Sequence, residues 1–249
     1  MSKISAVVIT FNESSNIKRC IESLVEIVDE VIVVDSFSTD DTVAIAESLG
    51  ANVIQHKFEG FGCQKSFATQ QATNKWILSL DADECLSAEL RQSIAAIKDS
   101  LDTNRVDAYS FNRRNYYCNK RINYSGWYPD KKVRLFNREC VAWSDSTVHE
   151  SVVLDDKTPQ KHLYGDLLHY TCDTIETHKK KMAYYAKLAA AEFKENGKTC
   201  SRAMAILRSI FRFVKIYIFK LGVLDGYYGF VLSLVEARYV FWKYSWTKK

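Results

Sequence analysis

Four short apolar runs, each followed by a helix-patterned segment, constrain this chain more than any other feature. Ile4 to Thr10, Glu30 to Asp35, Asn52 to Gln55 and Trp76 to Leu80 read as strands rich in Val, Ile and Leu. Between and after them, helices are predicted over Ser14 to Leu24, from a Ser38 cap through Ala46 to Leu49, over Phe67 to Ala72 and from Ser87 through Ile97. Ser38-Thr39-Asp40-Asp41 reads as a capping box that opens the second helix. Near-continuous apolar strands separated by helices predict a parallel sheet covered on both faces. In such a sheet the ligand crevice lies beyond the carboxyl ends of the strands, where strand order reverses. Three of the strands run into polar groups there: Thr10-Phe11-Asn12-Glu13, Asp35-Ser36 and Asp81-Ala82-Asp83.

The last of these carries chemistry. Side chains at i and i+2 of a strand point the same way, so Asp81 and Asp83 are expected to share one face while Ala82 and Glu84 point away. Paired carboxylates repel unless a cation sits nearby. Hard oxygen ligands suit Mg2+ or Mn2+, ions that commonly also hold substrate phosphates. Gly60-Phe61-Gly62 lacks the third glycine of a dinucleotide fingerprint, and no Walker lysine loop is present. Phosphates are therefore expected to be neutralised by a metal and a cation such as Lys65.

From Tyr109 to Tyr164 the pattern is less regular and rich in Tyr, Trp, Asn and Arg, which suits sugar rings and equally an aromatic core with loops. Val133 to Asn137 alternates as a strand, and His162, His169 and His178 read as structural. Beyond Thr177 everything looks helical. Ile206, Ile210, Phe213, Tyr217 and Leu221 form an apolar face, opposed by Arg208, Arg212 and Lys215. Fifteen Lys and Arg against four Asp and Glu from 177 to 249 leave the first 176 residues acidic. Two domains are expected, 1–176 and a basic helical 177–249 whose apolar face packs on the body or meets an inner-leaflet membrane surface. No apolar stretch reaches the ~18 residues of a membrane span, and no signal-peptide pattern opens the chain. The seven cysteines form no C-x-x-C pair, so a reducing compartment and no zinc site are expected.

Ser5 to Glu13, Val33-Val34-Asp35-Ser36-Phe37-Ser38-Thr39-Asp40 and Leu80-Asp81-Ala82-Asp83-Glu84 together resemble the family 2 glycosyltransferases, which have a GT-A fold: a mixed, mostly parallel α/β sheet with flanking helices. Gly126-Trp127-Tyr128-Pro129-Asp130, Arg134-Leu135-Phe136, Val148-His149-Glu150 and Leu224-Asp225-Gly226 resemble a branch that builds the bacterial lipopolysaccharide core, including β-1,4-glucosyltransferases. The resemblance implies a nucleoside pocket lined by Thr10, Asn12 and Glu13, with Asp35 on the base, Lys65 near the phosphates, and Asp81 on the ribose or sugar side. It implies Asp83 as ligand of a Mg2+ or Mn2+ ion, with His149 as a further ligand or a phosphate contact. Glu150 is the expected general base and Asp130 the competing candidate. The implied partners are a nucleotide sugar donor, a UDP-hexose, and a glycolipid or oligosaccharide acceptor in the cytoplasm, with no nucleic acid. A peptide or capsular acceptor, a sugar nucleotidyltransferase and a catalytically silent scaffold remain alternatives.

Overall fold

The computed structural model describes residues 2–143, 152–154 and 158–246. It divides into two compact units, residues 1–113 with 130–169, and residues 114–129 with 170–249. The second unit thus begins before residue 177 and recruits 114–129 from the middle of the chain.

The first unit is built on β1 (Ile4–Thr10), β2 (Glu30–Asp35), β3 (Asn52–Gln55) and β4 (Trp76–Asp81). These pair in parallel in the order β3-β2-β1-β4. β1 is buried along its whole length, as expected of a strand covered on both faces. The strand order reverses beside it, because β2 and β3 lie on one flank and β4 on the other. β8 (Asp130–Asn137) adds antiparallel to β4, and β6 (Ala108–Tyr117) adds antiparallel to β8. β11 (Gln160–Cys172) follows, with the short β5 (Glu84–Leu86) antiparallel at the edge. β9 (Ala142–Trp143) and β10 (Val152–Val153) form a separate pair. The less regular region therefore supplies β6, β8, whose second half is the strand expected at Val133 to Asn137, and the start of β11. Its Arg, Asn and Tyr residues broke the apolar runs that mark the parallel strands.

Helices α1 (Ile17–Glu22), α2 (Thr42–Ser48), α3 (Phe61–Gln71) and α4 (Ala88–Lys98) flank the sheet. Ser87 caps α4 by accepting from the Leu90 N–H at 3.2 Å, as its position predicts. Ser38 caps nothing. Helix α2 begins only at Thr42, because Asp35 takes the Ser38 hydroxyl and N–H instead. Helix α3 starts six residues before its expected beginning at Phe67. Its sheet-facing side carries Gln64 and Lys65, both buried, so hydrophobic periodicity missed its first half.

The second unit holds β7 (Lys120–Arg121), α5 (Ile175–Glu195), α6 (Arg202–Val214) and α7 (Gly226–Ser245). Its core gathers Tyr117, Ile122, Cys172, Val231, Leu232 and Val235. A wide π-turn (Lys215–Phe219) and a 3₁₀ turn (Gly222–Asp225) join α6 to α7. Leu221 between them is left-handed, with φ +53°. A Cβ placed on Gly229 would lie 1.9 Å from the Gly222 carbonyl oxygen. Gly229→Ala is expected to destabilise the protein. Overpacking typically costs ~1–3 kcal/mol, here against rigid backbone, and exceeds the ~1 kcal/mol of helix propensity gained. A thermal midpoint equal to or above that of the parent protein would refute this close approach.

Candidate active site

The sheet register brings the polar strand ends together. Thr10 lies opposite Asp35 in the β1/β2 ladder, and Ile9 opposite Asp81 in the β1/β4 ladder. All three ends therefore share the carboxyl edge at the reversal point, as the strand pattern predicts.

On the β1/β2 side a polar loop closes over the strand ends. Asn12 takes a left-handed conformation, φ +54°, which asparagine tolerates better than most residues. Its N–H donates to Ser38 Oγ at 2.8 Å, and its side-chain oxygen accepts from the Thr39 N–H at 2.8 Å. The Glu13 N–H donates to Thr42 Oγ1 at 2.8 Å. Hydrogen bonds led by the Thr42 hydroxyl hold Asp40 down at about 2. Asp35 is fully buried and accepts from Ser38 through both oxygens. In this structure it anchors the loop that Asn12 grips.

On the β4 side the strand stops at Asp81, and the chain turns over Ala82 and Asp83 before β5 starts at Glu84. Strand alternation therefore does not govern Asp81, Asp83 and Glu84. Glu84 faces back into the cluster, where it accepts from the Asp81 N–H at 3.1 Å. A ladder of alternating charges results. Lys65 Nζ lies 2.9 Å from Asp81 Oδ1, and Arg134 Nη2 lies 2.9 Å from Asp81 Oδ2 and 2.8 Å from Glu84 Oε1. Arg113 lies 3.4 Å from Glu84 and 2.8 Å from Asp130, and Lys132 lies 3.3 Å from the other Asp130 oxygen. Burial would raise the Asp81 pKa, but Lys65 and Arg134 outweigh it and hold the carboxyl well below the usual range. Burial likewise opposes the Arg134 charge, and Glu84 and Asp81 more than restore it.

Lys65 is buried, over the Trp143 ring at 5.2 Å, so in this structure it positions Asp81. Asp83 stands outside the ladder, with His169 Nε2 3.2 Å from its carboxylate. His169, read as structural from sequence, thus belongs to the site, and its place on β11 left no sequence signal. Arg134 was visible only within Arg-Leu-Phe, where alternation could not reveal its buried ionic role. His149 and Glu150 lie outside the described residues. Among the described residues no cluster of three or more His, Cys, Asp or Glu side chains is arranged to hold a metal.

Residues 5–154 match the family model described as glycosyl transferase family 2. The chain belongs to this family. The family 2 assignment fits the GT-A arrangement of a mixed, mostly parallel sheet with flanking helices. A Rickettsia felis protein named as an uncharacterized glycosyltransferase is 38% identical over 95% of this chain and 86% of its own length. The lipopolysaccharide core biosynthesis glycosyltransferase LpsC of Rhizobium meliloti is 29% identical over 96% of this chain and 89% of its own. Among solved structures, glucosyl-3-phosphoglycerate synthase from Mycobacterium tuberculosis, in complex with Mn2+, UDP and glucosyl-3-phosphoglycerate, is 26% identical over 47% of this chain and 44% of its own, with a TM-score of 0.36. At that score the likeness bears on neither ligand nor mechanism.

Proposed function

We propose that this family 2 glycosyltransferase moves a hexose, with glucose favoured, from a UDP-sugar to the lipopolysaccharide inner core or a similar cell-surface glycan, with inversion. The observation that carries the reading is the register that sets Thr10, Asp35 and Asp81 along one edge at the sheet's reversal point. The full-length similarity to LpsC favours the core acceptor.

The nucleoside lies against Thr10, Asn12 and Glu13, on the loop that Asp35 anchors. Asp83, with His169 beside it, faces the diphosphate. Two protein ligands fit a Mg2+ or Mn2+ ion that takes its remaining oxygens from substrate phosphates and water. When bound, such an ion supplies Lewis-acid stabilisation of the departing diphosphate. Asp81 orients the donor's sugar side while Lys65 and Arg134 keep it ionised and fixed. The acceptor hydroxyl attacks the anomeric carbon, the bond from that carbon to the diphosphate oxygen breaks, and Glu150 takes the hydroxyl proton. The ion pairs of Asp130 with Arg113 and Lys132 support Glu150 as the base.

Glu150→Gln is expected to lower kcat by about 10²–10⁴, the usual weight of a general base, with donor affinity retained. Asp130→Asn should leave kcat within about tenfold on that scale. The opposite ranking in steady-state kinetics would move the base to Asp130. Mass spectrometry of lipopolysaccharide core from cells lacking the protein tests the acceptor. One missing hexose is expected, and an unchanged core mass would overturn the assignment.

A further inference from the structure

The bend between α6 and α7 leaves a concentration of apolar side chains uncovered. Phe219 is 73% exposed and Tyr227 67%, while Leu207, Phe211 and Leu224 are each about 60% exposed and Ile218 is half exposed. Among the described residues no single helix is long and apolar enough to cross a membrane. The two segments Arg202–Phe219 and Gly222–Ser245 pass that test only together, bent by 72°.

The bend is built rather than frayed. Asp225 accepts from the N–H groups of Asn123 and Tyr124 and from the Ser125 hydroxyl, at 2.7 to 3.2 Å. The Ser125 N–H donates to the Lys220 carbonyl at 2.9 Å. Rings of Phe213 and Tyr217 meet Phe230 edge-on across the helix pair. The apolar tip is therefore held out on a braced hairpin.

Charge completes the pattern. From Lys198 to Ser245 the sequence carries eight Lys and Arg but only two acids, Asp225 and Glu236. Asp225 is spent on the 123–125 loop, and Glu236 pairs with Arg212 at 2.6 Å. The remaining cations, among them exposed Arg202, Lys215 and Lys220, have no acid on this hairpin to neutralise them. A large apolar patch marks an interaction surface, and apolar side chains flanked by unopposed cations match the boundary between acyl chains and anionic headgroups.

We propose that the α6–α7 bend is a wedge that enters the headgroup layer of an anionic bilayer. Phe219, Leu224 and Ile218 reach the acyl boundary, while Lys215 and Lys220, beside the break, lie on lipid phosphates. This differs from a basic helix lying flat, because the insertion point is the break itself. It also stands apart from the transferase reading, since it needs neither donor nor acceptor.

Cosedimentation of the full chain with phosphatidylcholine vesicles, with and without phosphatidylglycerol, tests it. Binding is expected only with the anionic lipid, and is expected to weaken in 0.5 M salt because that screens the headgroup attraction. Lys215→Glu with Lys220→Glu should weaken it at least about twentyfold, at roughly fivefold per surface cation. Phe219→Ser with Leu224→Ser should abolish it with an unchanged circular dichroism spectrum. If that pair fails to fold, the charge-reversed pair alone decides. Equal binding by the charge-reversed protein overturns the proposal. So does a dimer, seen by light scattering, that binds no vesicles and dissociates on substitution of Phe219 and Leu224.

Discussion

Asp83→Ala is expected to cut turnover by at least about a thousandfold, since a single group stabilising a leaving anion is already worth ~10²–10³ in rate and loss of a metal ligand adds to it. The fold should be untouched. Asp83 lies in the turn between β4 and β5, outside the charge ladder, with His169 as its recorded ionic partner. Its removal leaves every rung from Lys65 to Lys132 paired. The measurement is donor turnover across a Mn2+ titration, beside thermal melting of the same variant. Full turnover with the melting point unchanged would remove the diphosphate role from Asp83. His169→Gln separates the ligand role from packing, because a ligand loss that excess Mn2+ partly rescues is not expected of a merely structural histidine.

Arg134→Met is expected to cost about 3–5 kcal/mol of stability, the usual penalty for removing one partner of a buried ion pair. Arg134 is buried and bridges Asp81 to Glu84 at 2.9 and 2.8 Å. Methionine matches much of its length, so the loss is chiefly electrostatic. Asp81 would keep Lys65, whereas Glu84 would keep the Asp81 N–H and, as its remaining cation among the described residues, Arg113 at 3.4 Å. The deficit therefore falls mainly on the fully buried Glu84 side chain. Urea denaturation gives the number, and Arg134→Met with Glu84→Gln should recover part of it, because the orphaned charge is then gone. A single variant as stable as the parent protein would show that the bridge contributes nothing.

The parallel half of the sheet was legible because β1, β2 and β4 are covered on both faces, so each strand had to be a near-continuous apolar run. The same reading located the edge where Thr10, Asp35 and Asp81 meet. It failed wherever a polar side chain is buried by a specific partner. Gln64 and Lys65 hid the start of α3, because Ser36, His56 and Asp81 satisfy them in three dimensions. Ser38 suits a helix cap by composition, yet a fully buried carboxylate at Asp35 outcompetes four backbone groups that water can reach. Asp81 and Asp83 were expected on one strand face, and the turn at Ala82 ended that alternation. His169 and Arg134 come from strands distant in sequence, and such convergence leaves no local trace in a single chain.

The rungs beneath the acidic turn are collected from positions 65, 81, 84, 113, 130, 132 and 134. A chain still emerging from the ribosome therefore exposes Asp81 and Glu84 long before Arg134 arrives to tie them down. Order in the acidic turn is a late acquisition, completed when β8 slots in beside β4 and brings Arg134 to Asp81 and Glu84.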